Sequence, residues 1–332
     1  MDKIRNVMVT GGAGYVGAIL VPKLVQLGYQ VKVVDLYLYG EEVLDSVRGD
    51  PKLIEVKGDI RNVSLLEREM PGTGAVIHLA CISNDPSYEL DPALGKSINY
   101  DAFMPLVLIA RKNGVKRFIY ASSSSVYGVN DEPEVTEDLP LAPLTDYSKY
   151  KAKCEEVLLD AAVDGFVVTV IRPSTVCGYS PRMRLDLTVN ILTCHAVNKG
   201  EISVFGGNQK RPNIHIEDMT DLYVKLLDVP DFKIDKQIFN AGYQNHTVLE
   251  LANIVKDSLG GNIPIVVTPS SDNRSYHVCS DKITTALGFR PTRTIQEAVQ
   301  DLNRAFEQGR IPNALDDIRY YNIRTMQALG LK

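Results

Sequence analysis

The chain has 332 residues, 45% of them apolar, and 36 basic against 41 acidic side chains give a net charge of −5. That length suggests two lobes and buries a large core without staples, while the mild, dispersed acidity excludes nonspecific grip on nucleic acid or an anionic membrane. The longest apolar stretches, 75–82 and 166–171, fall far short of the ~20 residues of a membrane span, the amino terminus has no signal-cleavage pattern, and five scattered cysteines (Cys81, Cys154, Cys177, Cys194, Cys279) fit reduced thiols in a cytoplasm rather than a disulfide frame or zinc site.

Residues 5–10 form a short β-branched run, and residues 15–27 carry apolar side chains at helical spacing. A second strand is predicted at 29–36, with others at 53–57, 75–79, 117–121 and 166–172. Helices are predicted near 64–70, 92–113 and 147–160. Fully apolar strands alternating with helices imply an α/β fold, a doubly wound parallel sheet of the Rossmann type covered on both faces. The stretch 131–146 is broken by Pro133, Pro140 and Pro143 and fits neither regular structure. From Thr175 the alternation blurs at Gly178, Pro181, Gly206, Gly207 and Pro212. The expected division is a first domain over 1–174 and a smaller α/β lobe over 175–332. The boundary is interleaved, because 218–227 and 248–259 read as helices that return toward the sheet.

Thr10-Gly11-Gly12-Ala13-Gly14-Tyr15-Val16-Gly17 follows the first strand and opens the first helix. Glycines 12, 14 and 17 satisfy G-x-G-x-x-G, and glycines 11, 14 and 17 satisfy G-x-x-G-x-x-G. Such a turn lets backbone approach a pyrophosphate, with the helix N-terminus supplying N–H donors and a positive dipole end. Asp35 ends the second strand 18 residues after Gly17, where a carboxylate accepts from an adenosine ribose and repels a 2′-phosphate. The turn therefore predicts NAD rather than NADP. Asp59, in Gly58-Asp59-Ile60-Arg61, reads equally as an adenine contact or as a cap of the next helix.

Tyr147 and Lys151 form Y-x-x-x-K, with Asp146 as the expected helix N-cap, so both lie on one helix face. Tyr147 is the only tyrosine with a lysine four residues on. Upstream, Ser122-Ser123-Ser124-Ser125-Val126-Tyr127-Gly128 ends the fifth strand, at the carboxyl edge where doubly wound sheets bind ligands. With these residues in view, the chain resembles an extended short-chain dehydrogenase/reductase of the NAD-dependent sugar-nucleotide epimerase/dehydratase family. The resemblance rests on the glycine turn, Gly58-Asp59-Ile60, His78-Leu79-Ala80, Asn99, S-S-x-x-V-Y-G, Y-x-x-x-K and Arg172-Pro173-Ser174, and spans nearly the whole chain.

The resemblance implies a catalytic Ser123, Tyr147 and Lys151. Lys151 and the oxidised nicotinamide would lower the phenol's pKa, so that Tyr147 takes a proton from a sugar hydroxyl as hydride leaves carbon. It implies an NAD site of Gly11, Gly14, Tyr15, Val16, Gly17, Asp35, Asp59, Ile60, Leu79, Ala80, Asn99, Tyr147, Lys151 and Pro173. For a nucleotide-sugar substrate it implies Ser83, Ser123, Arg182, Arg184, Asn190, Arg211 and Arg274, the arginines suiting bidentate phosphate contact. A homodimer through a four-helix bundle is also implied, with Phe103, Val107 and Leu108 on one helix and Val157, Leu158 and Ala161 on the other as the seam.

Departures narrow the reaction. Relatives that dehydrate across carbons four to six carry Asp-Glu after the catalytic Ser/Thr, and decarboxylating ones keep a glutamate there. Ser124 and Ser125 stand at those places and supply no carboxyl acid or base. Thr175 replaces an asparagine common near the substrate phosphates, and residues 177–186 resemble a branch that includes heptose-nucleotide 4-oxidases. The expected reaction is oxidation of a nucleotide sugar's 4-hydroxyl to a 4-keto intermediate with net 4-epimerisation. Oxidation or reduction without inversion is the alternative, and a non-catalytic NAD-binding regulator a more distant one. No metal is expected: His78 reads as core, His215 as structural, and His195, His246 and His277 share no ligand spacing. Cys81 and Cys177 read as pocket or core residues.

Overall fold

The structure is a computed structural model that describes residues 3–130, 132–269, 275 and 277–330. Its first half runs β1 (Asn6–Thr10), α1 (Gly17–Gln26), β2 (Gln30–Asp35), β3 (Leu53–Lys57), α2 (Val63–Glu69) and β4 (Ala75–His78). Two short helices, α3 (Asp85–Tyr88) and α4 (Pro92–Lys96), precede α5 (Phe103–Lys112), β5 (Arg117–Ala121), α6 (Asp146–Asp160) and β6 (Val167–Pro173). The second half runs β7 (Thr175–Cys177), α7 (Thr188–Lys199), β8 (Ile202–Phe205), β9 (Lys210–His215), α8 (Ile216–Asp228), β10 (Gln237–Ala241), β11 (Gln244–Thr247) and α9 (Val248–Ser258). β12 (Ile265–Thr268), α10 (Asp281–Leu287), α11 (Ile295–Glu307) and α12 (Asn322–Leu329) complete it.

Seven parallel strands make the central sheet in the order β10-β6-β5-β4-β1-β2-β3. Side chains alternate across it, as a period of two requires. Val7 and Val9 of β1 pack with α1, α8 and α10, whereas Met8 packs with α2, α5 and α6 on the other face. Covering both faces is what makes β1, β4 and β5 apolar throughout their interiors. The strand order reverses between β1 and β4, and the carboxyl ends there open a crevice.

Several predicted bounds shift for local reasons. The expected helix 92–113 is broken by a π turn, Ser97–Asp101. Asn99 in that turn gives its carboxamide to the backbone of Ile82, accepting from its N–H at 2.8 Å and donating to its carbonyl at 2.9 Å. The N-cap of α6 is Thr145 rather than Asp146: Thr145 Oγ1 accepts from the Ser148 N–H at 3.3 Å, and Ser148 Oγ accepts from the Thr145 N–H at 3.2 Å. Residues 132–145 are irregular but not loose, since Val135 is buried and bridges to Val278.

The lobes interleave. α8 packs on α1, where Lys23 meets Glu217 at 2.7 Å and Asp221 at 2.6 Å, and β10 adds the last strand of the sheet beside β6. α9 does not return to the sheet. It packs with α7 and α11 around Leu192, Leu251, Val255 and Val299, beside the parallel pair β8 and β12. A three-stranded sheet, β11-β9-β7, joins that lobe to the crevice. The proposed dimer seam is partly consumed, because Phe103, Val107 and Leu158 are buried in the chain's own core. On α5 it is Met104 and Leu108 that remain exposed, at 48% and 42%. Among the described residues no helix is long and apolar enough to cross a membrane.

Candidate active site

A cavity of about 460 Å³ opens at the crevice, between the carboxyl ends of the sheet and the second lobe. Its floor is the glycine turn. Gly11 has φ of +75°, and a Cβ there would lie 2.5 Å from the Ala80 N, so only glycine lets the turn touch the end of β4. A Cβ on Gly17 would lie 2.4 Å from the Gly12 carbonyl oxygen. Gly12 itself packs on Val33, so glycines 11, 14 and 17 are the triple that faces the cavity. α1 then starts at Val16 without a side-chain cap and without an acidic residue in its first turn. Its positive dipole end therefore meets the cavity with no side chain to neutralise it, while the Ala18 and Leu20 N–H groups bond back to the Gly14 and Val16 carbonyls.

Asp35 closes the turn from the side: its Oδ2 accepts from the Ala13 N–H at 3.0 Å and its Oδ1 from the Tyr37 N–H at 2.8 Å. Burial pushes this carboxyl above its ordinary value, and those two N–H groups pull it back. Ile60, Leu79, Ala80 and Pro173 line the same space. Asp59 lines it too, and neither reading of it covers its main partner: it grips Arg61 at 2.6 Å, while Asn62 caps α2. Asn99, spent on Ile82, is not in the cavity wall.

Tyr147 and Lys151 project from α6 toward the end of β5, where Ser123 caps a short 3-10 turn. Ser123 hydrogen-bonds the Tyr147 phenol, and its Oγ accepts from the Ser125 N–H at 3.1 Å and the Ser125 hydroxyl at 2.9 Å. Lys151 Nζ donates to the Ala121 carbonyl at 2.7 Å and lies 5.9 Å from the Tyr147 ring centroid. The protein's own groups raise the phenol rather than lower it. Burial is the main cause, with Cys81 and Asp85 adding to it, while the Ser123 hydrogen bond and the Arg184 charge oppose it.

The neighbouring serines also line the cavity, and sequence reasoning missed what anchors Ser122. Ser122 donates to Glu155, which forms a buried ion pair with Arg172 at 2.7 Å; Arg172 in turn donates to the Tyr127 hydroxyl at 2.7 Å. This network joins β6, α6 and the serine turn, so Ser123 and Lys151 are held on one frame. Burial pushes His78 down to about 3, so it is a neutral core imidazole, with Nδ1 at 2.6 Å from Thr10 Oγ1. His215 accepts from the Glu217 N–H at 3.2 Å and caps α8. Cys81 lines the cavity, and Cys177 is buried against the Ile214 carbonyl. Among the described residues no group of three or more His, Cys, Asp or Glu could hold a metal.

The second lobe faces this machinery with charge. Ser83, Arg182, Arg184 and Arg211 all line the cavity. Arg184 Nε donates to Asp186 at 2.9 Å and its Nη1 to Ser83 at 3.2 Å. Arg182 stacks its guanidinium 3.5 Å from the Tyr39 ring centroid, and burial pulls it down to about 10. Asn190 is not in the wall: it accepts from the Gly178 N–H at 3.1 Å and donates to the Tyr15 hydroxyl at 3.0 Å, holding the loop that carries both arginines. Arg274 lies outside the described residues. Tyr39, Asp186, Met326 and, behind the wall, Asn322 escaped sequence reading. No local pattern marks them, since they meet only through the fold.

The fold and site together define a dinucleotide-dependent oxidoreductase architecture with a serine, tyrosine and lysine at the crevice. The sequence profile of the NAD dependent epimerase/dehydratase family matches residues 7–242, and the chain belongs to that family. It is 29% identical over 310 residues to a UDP-glucose 4-epimerase of Lactobacillus helveticus, covering 86% of this chain and 92% of the relative. The crystal structure of DesIV, a dTDP-glucose 4,6-dehydratase from Streptomyces venezuelae with NAD bound, superposes with a TM-score of 0.84 at 25% identity over 94% of this chain and all of that one. UDP-glucose 4-epimerase from Thermotoga maritima, solved with UDP-glucose, gives 0.82 at 26% over 91% and 99%. The chain is therefore an NAD-dependent enzyme, and the Gly11–Gly17 cradle with its uncapped helix fits that cofactor.

Proposed function

We propose that this chain oxidises the 4-hydroxyl of a nucleotide sugar to a 4-keto intermediate and returns hydride to the opposite face, a net 4-epimerisation. The observation that carries the reading is the convergence of Ser123, Tyr147 and Lys151 on one cavity wall, facing the glycine cradle. NAD, held by glycines 11, 14 and 17, the α1 N-terminus, Asp35, Leu79, Ala80, Pro173 and Lys151, supplies the hydride acceptor and a positive charge. Tyr147 accepts the hydroxyl proton, Ser123 orders the same oxygen, and Lys151 holds positive charge beside the phenol. Arg184 and Arg211 are positioned for the substrate's anionic groups, and Arg274 is proposed with them.

Ser124 and Ser125 argue against 4,6-dehydration and decarboxylation, although DesIV shares the fold. Ser124 is buried, and Ser125 is occupied by Ser123. Incubation with a panel of nucleotide sugars tests the reading: an isomeric product should form without accumulating NADH. NADH building up with product would instead identify oxidation without inversion, and no reduction with any sugar would favour a regulator. A homodimer is part of the proposal, with Met104 and Leu108 of α5 and the half-buried Val157 of α6 in its seam. Sedimentation at micromolar concentration should give twice the chain mass, and a monomer would remove it.

A further inference from the structure

The loop that bears Arg182 is built onto the cofactor side of the cavity. Ser180 Oγ donates to the Tyr15 carbonyl at 2.8 Å, and the Tyr15 hydroxyl donates to the Gly178 carbonyl at 2.6 Å. Tyr15 is the residue just before the N-cap of α1, so this second-lobe loop is anchored at the mouth of that helix. Arg182 follows two residues later, 3% exposed, and lies on the ring of Tyr39 from the loop after β2. Arg182, Tyr39, Gly14, Tyr15 and Asp35 line one cavity.

Among the described residues no carboxylate makes an ion pair with Arg182, although Asp186 and Asp35 act on its charge from nearby. Arg182 donates to neutral acceptors, the Met183 carbonyl at 3.3 Å, the Asn322 side-chain oxygen and the Tyr39 hydroxyl, and its Nε has no partner. Asp186 is already taken by Arg184 Nε and by the Asn322 N–H at 3.1 Å. Asp35 is held by Ala13 and Tyr37. Keeping a guanidinium this deep is costly unless an anion arrives. On the same cavity α1 presents its half-positive end, with no side-chain cap and no acidic residue in its first turn. A dipole end and a full cation lining one cavity match a doubly charged group.

We infer that Arg182 is a cofactor-binding residue contributed by the second lobe, which pairs with the diphosphate of NAD opposite the N-terminus of α1. The family resemblance implies a substrate contact for Arg182; its loop's anchoring to Tyr15 and its own stacking on Tyr39 move it to the cofactor. It follows that the second lobe, through Arg182 and the Asn322 contact of α12, clamps NAD, which suits a cofactor recycled without leaving. The inference rests on NAD dependence alone and stands or falls apart from the net reaction.

Isothermal titration of the full chain with NAD, ADP-ribose, adenosine and UDP tests it in wild type, Arg182→Met and Arg182→Lys. Arg182→Met should weaken NAD and ADP-ribose about tenfold or more, as loss of a charge-assisted contact does, and leave adenosine and UDP within about twofold. Arg182→Lys should recover most of the loss. A loss confined to UDP would assign the arginine to substrate, an equal loss for adenosine would make its role structural, and no loss would remove it; each overturns the inference. Should Arg182→Met fail to fold by its melting curve, Tyr39→Leu removes the stacking platform and should weaken ADP-ribose but not UDP, with the same outcomes contradicting it.

Discussion

The two walls of the cavity are built by opposite means. The cofactor cradle is backbone: consecutive glycines, an uncapped helix start, and a carboxylate whose two oxygens are fixed by nearby N–H groups. The facing wall is side chain, with Arg182, Arg184, Asp186, Tyr39 and Ser83 arriving from three separate stretches and Asn322 bracing them from a fourth. A backbone site needs only the right short sequence and tolerates no Cβ, so it is shared widely. A side-chain site depends on how distant segments meet, and there a family diversifies what it binds.

The comparison yields tests in descending size. Tyr147→Phe deletes one oxygen where the two walls meet and should lower turnover by about 10²–10⁴, the usual worth of positioned proton transfer, with NAD affinity nearly unchanged. Equal losses in turnover and NAD affinity would show that the tyrosine belongs to the cradle. Next, Glu155→Ala leaves Arg172 buried and unpaired, and chemical denaturation should show a loss of about 3–5 kcal/mol. A loss below 1 kcal/mol would mean that the frame under Ser123 and Lys151 does not depend on this pair.

Gly11→Ala places a Cβ against Ala80 at a positive φ. It should cost about 1–3 kcal/mol of stability and reduce NAD binding measured by fluorescence. Gly72→Ala, at φ of +78° in open space, gives the strain without the clash and should leave NAD binding intact. Matching NAD losses in both would deny the cradle its special closeness. Asp35→Ala should relax the preference for NAD over NADP, expected to be at least tenfold or about 1.4 kcal/mol in the unaltered chain. Equal affinities in the unaltered chain would refute the assignment.

The contrast also explains what could be read from the chain. The central strands β1, β4, β5 and β6 were legible because buried strands are nearly continuous apolar runs, and the glycine turn because its neighbours in sequence are its neighbours in space. β10 was not legible: Gln237–Ala241 carries Gln237 and Asn240, and it is a strand only because β6 needs an edge partner. α9 looked like a returning helix because its amphipathic face says that it packs, not on what. Asn99 and Asn190 carried motif and position signals that were real, yet both amides serve backbone near the site instead of lining it. Glu155 drew no reading, since nothing local announces that Arg172 lies under it.

The central claim is that hydride leaves carbon four and returns to it inside one cavity. The most direct test is turnover of a productive nucleotide sugar carrying deuterium at carbon four, followed by mass spectrometry and NMR of the product. The account predicts an inverted product that retains its deuterium at that carbon, with no NADH released. Deuterium lost to water, or product formed with stoichiometric NADH, would contradict it.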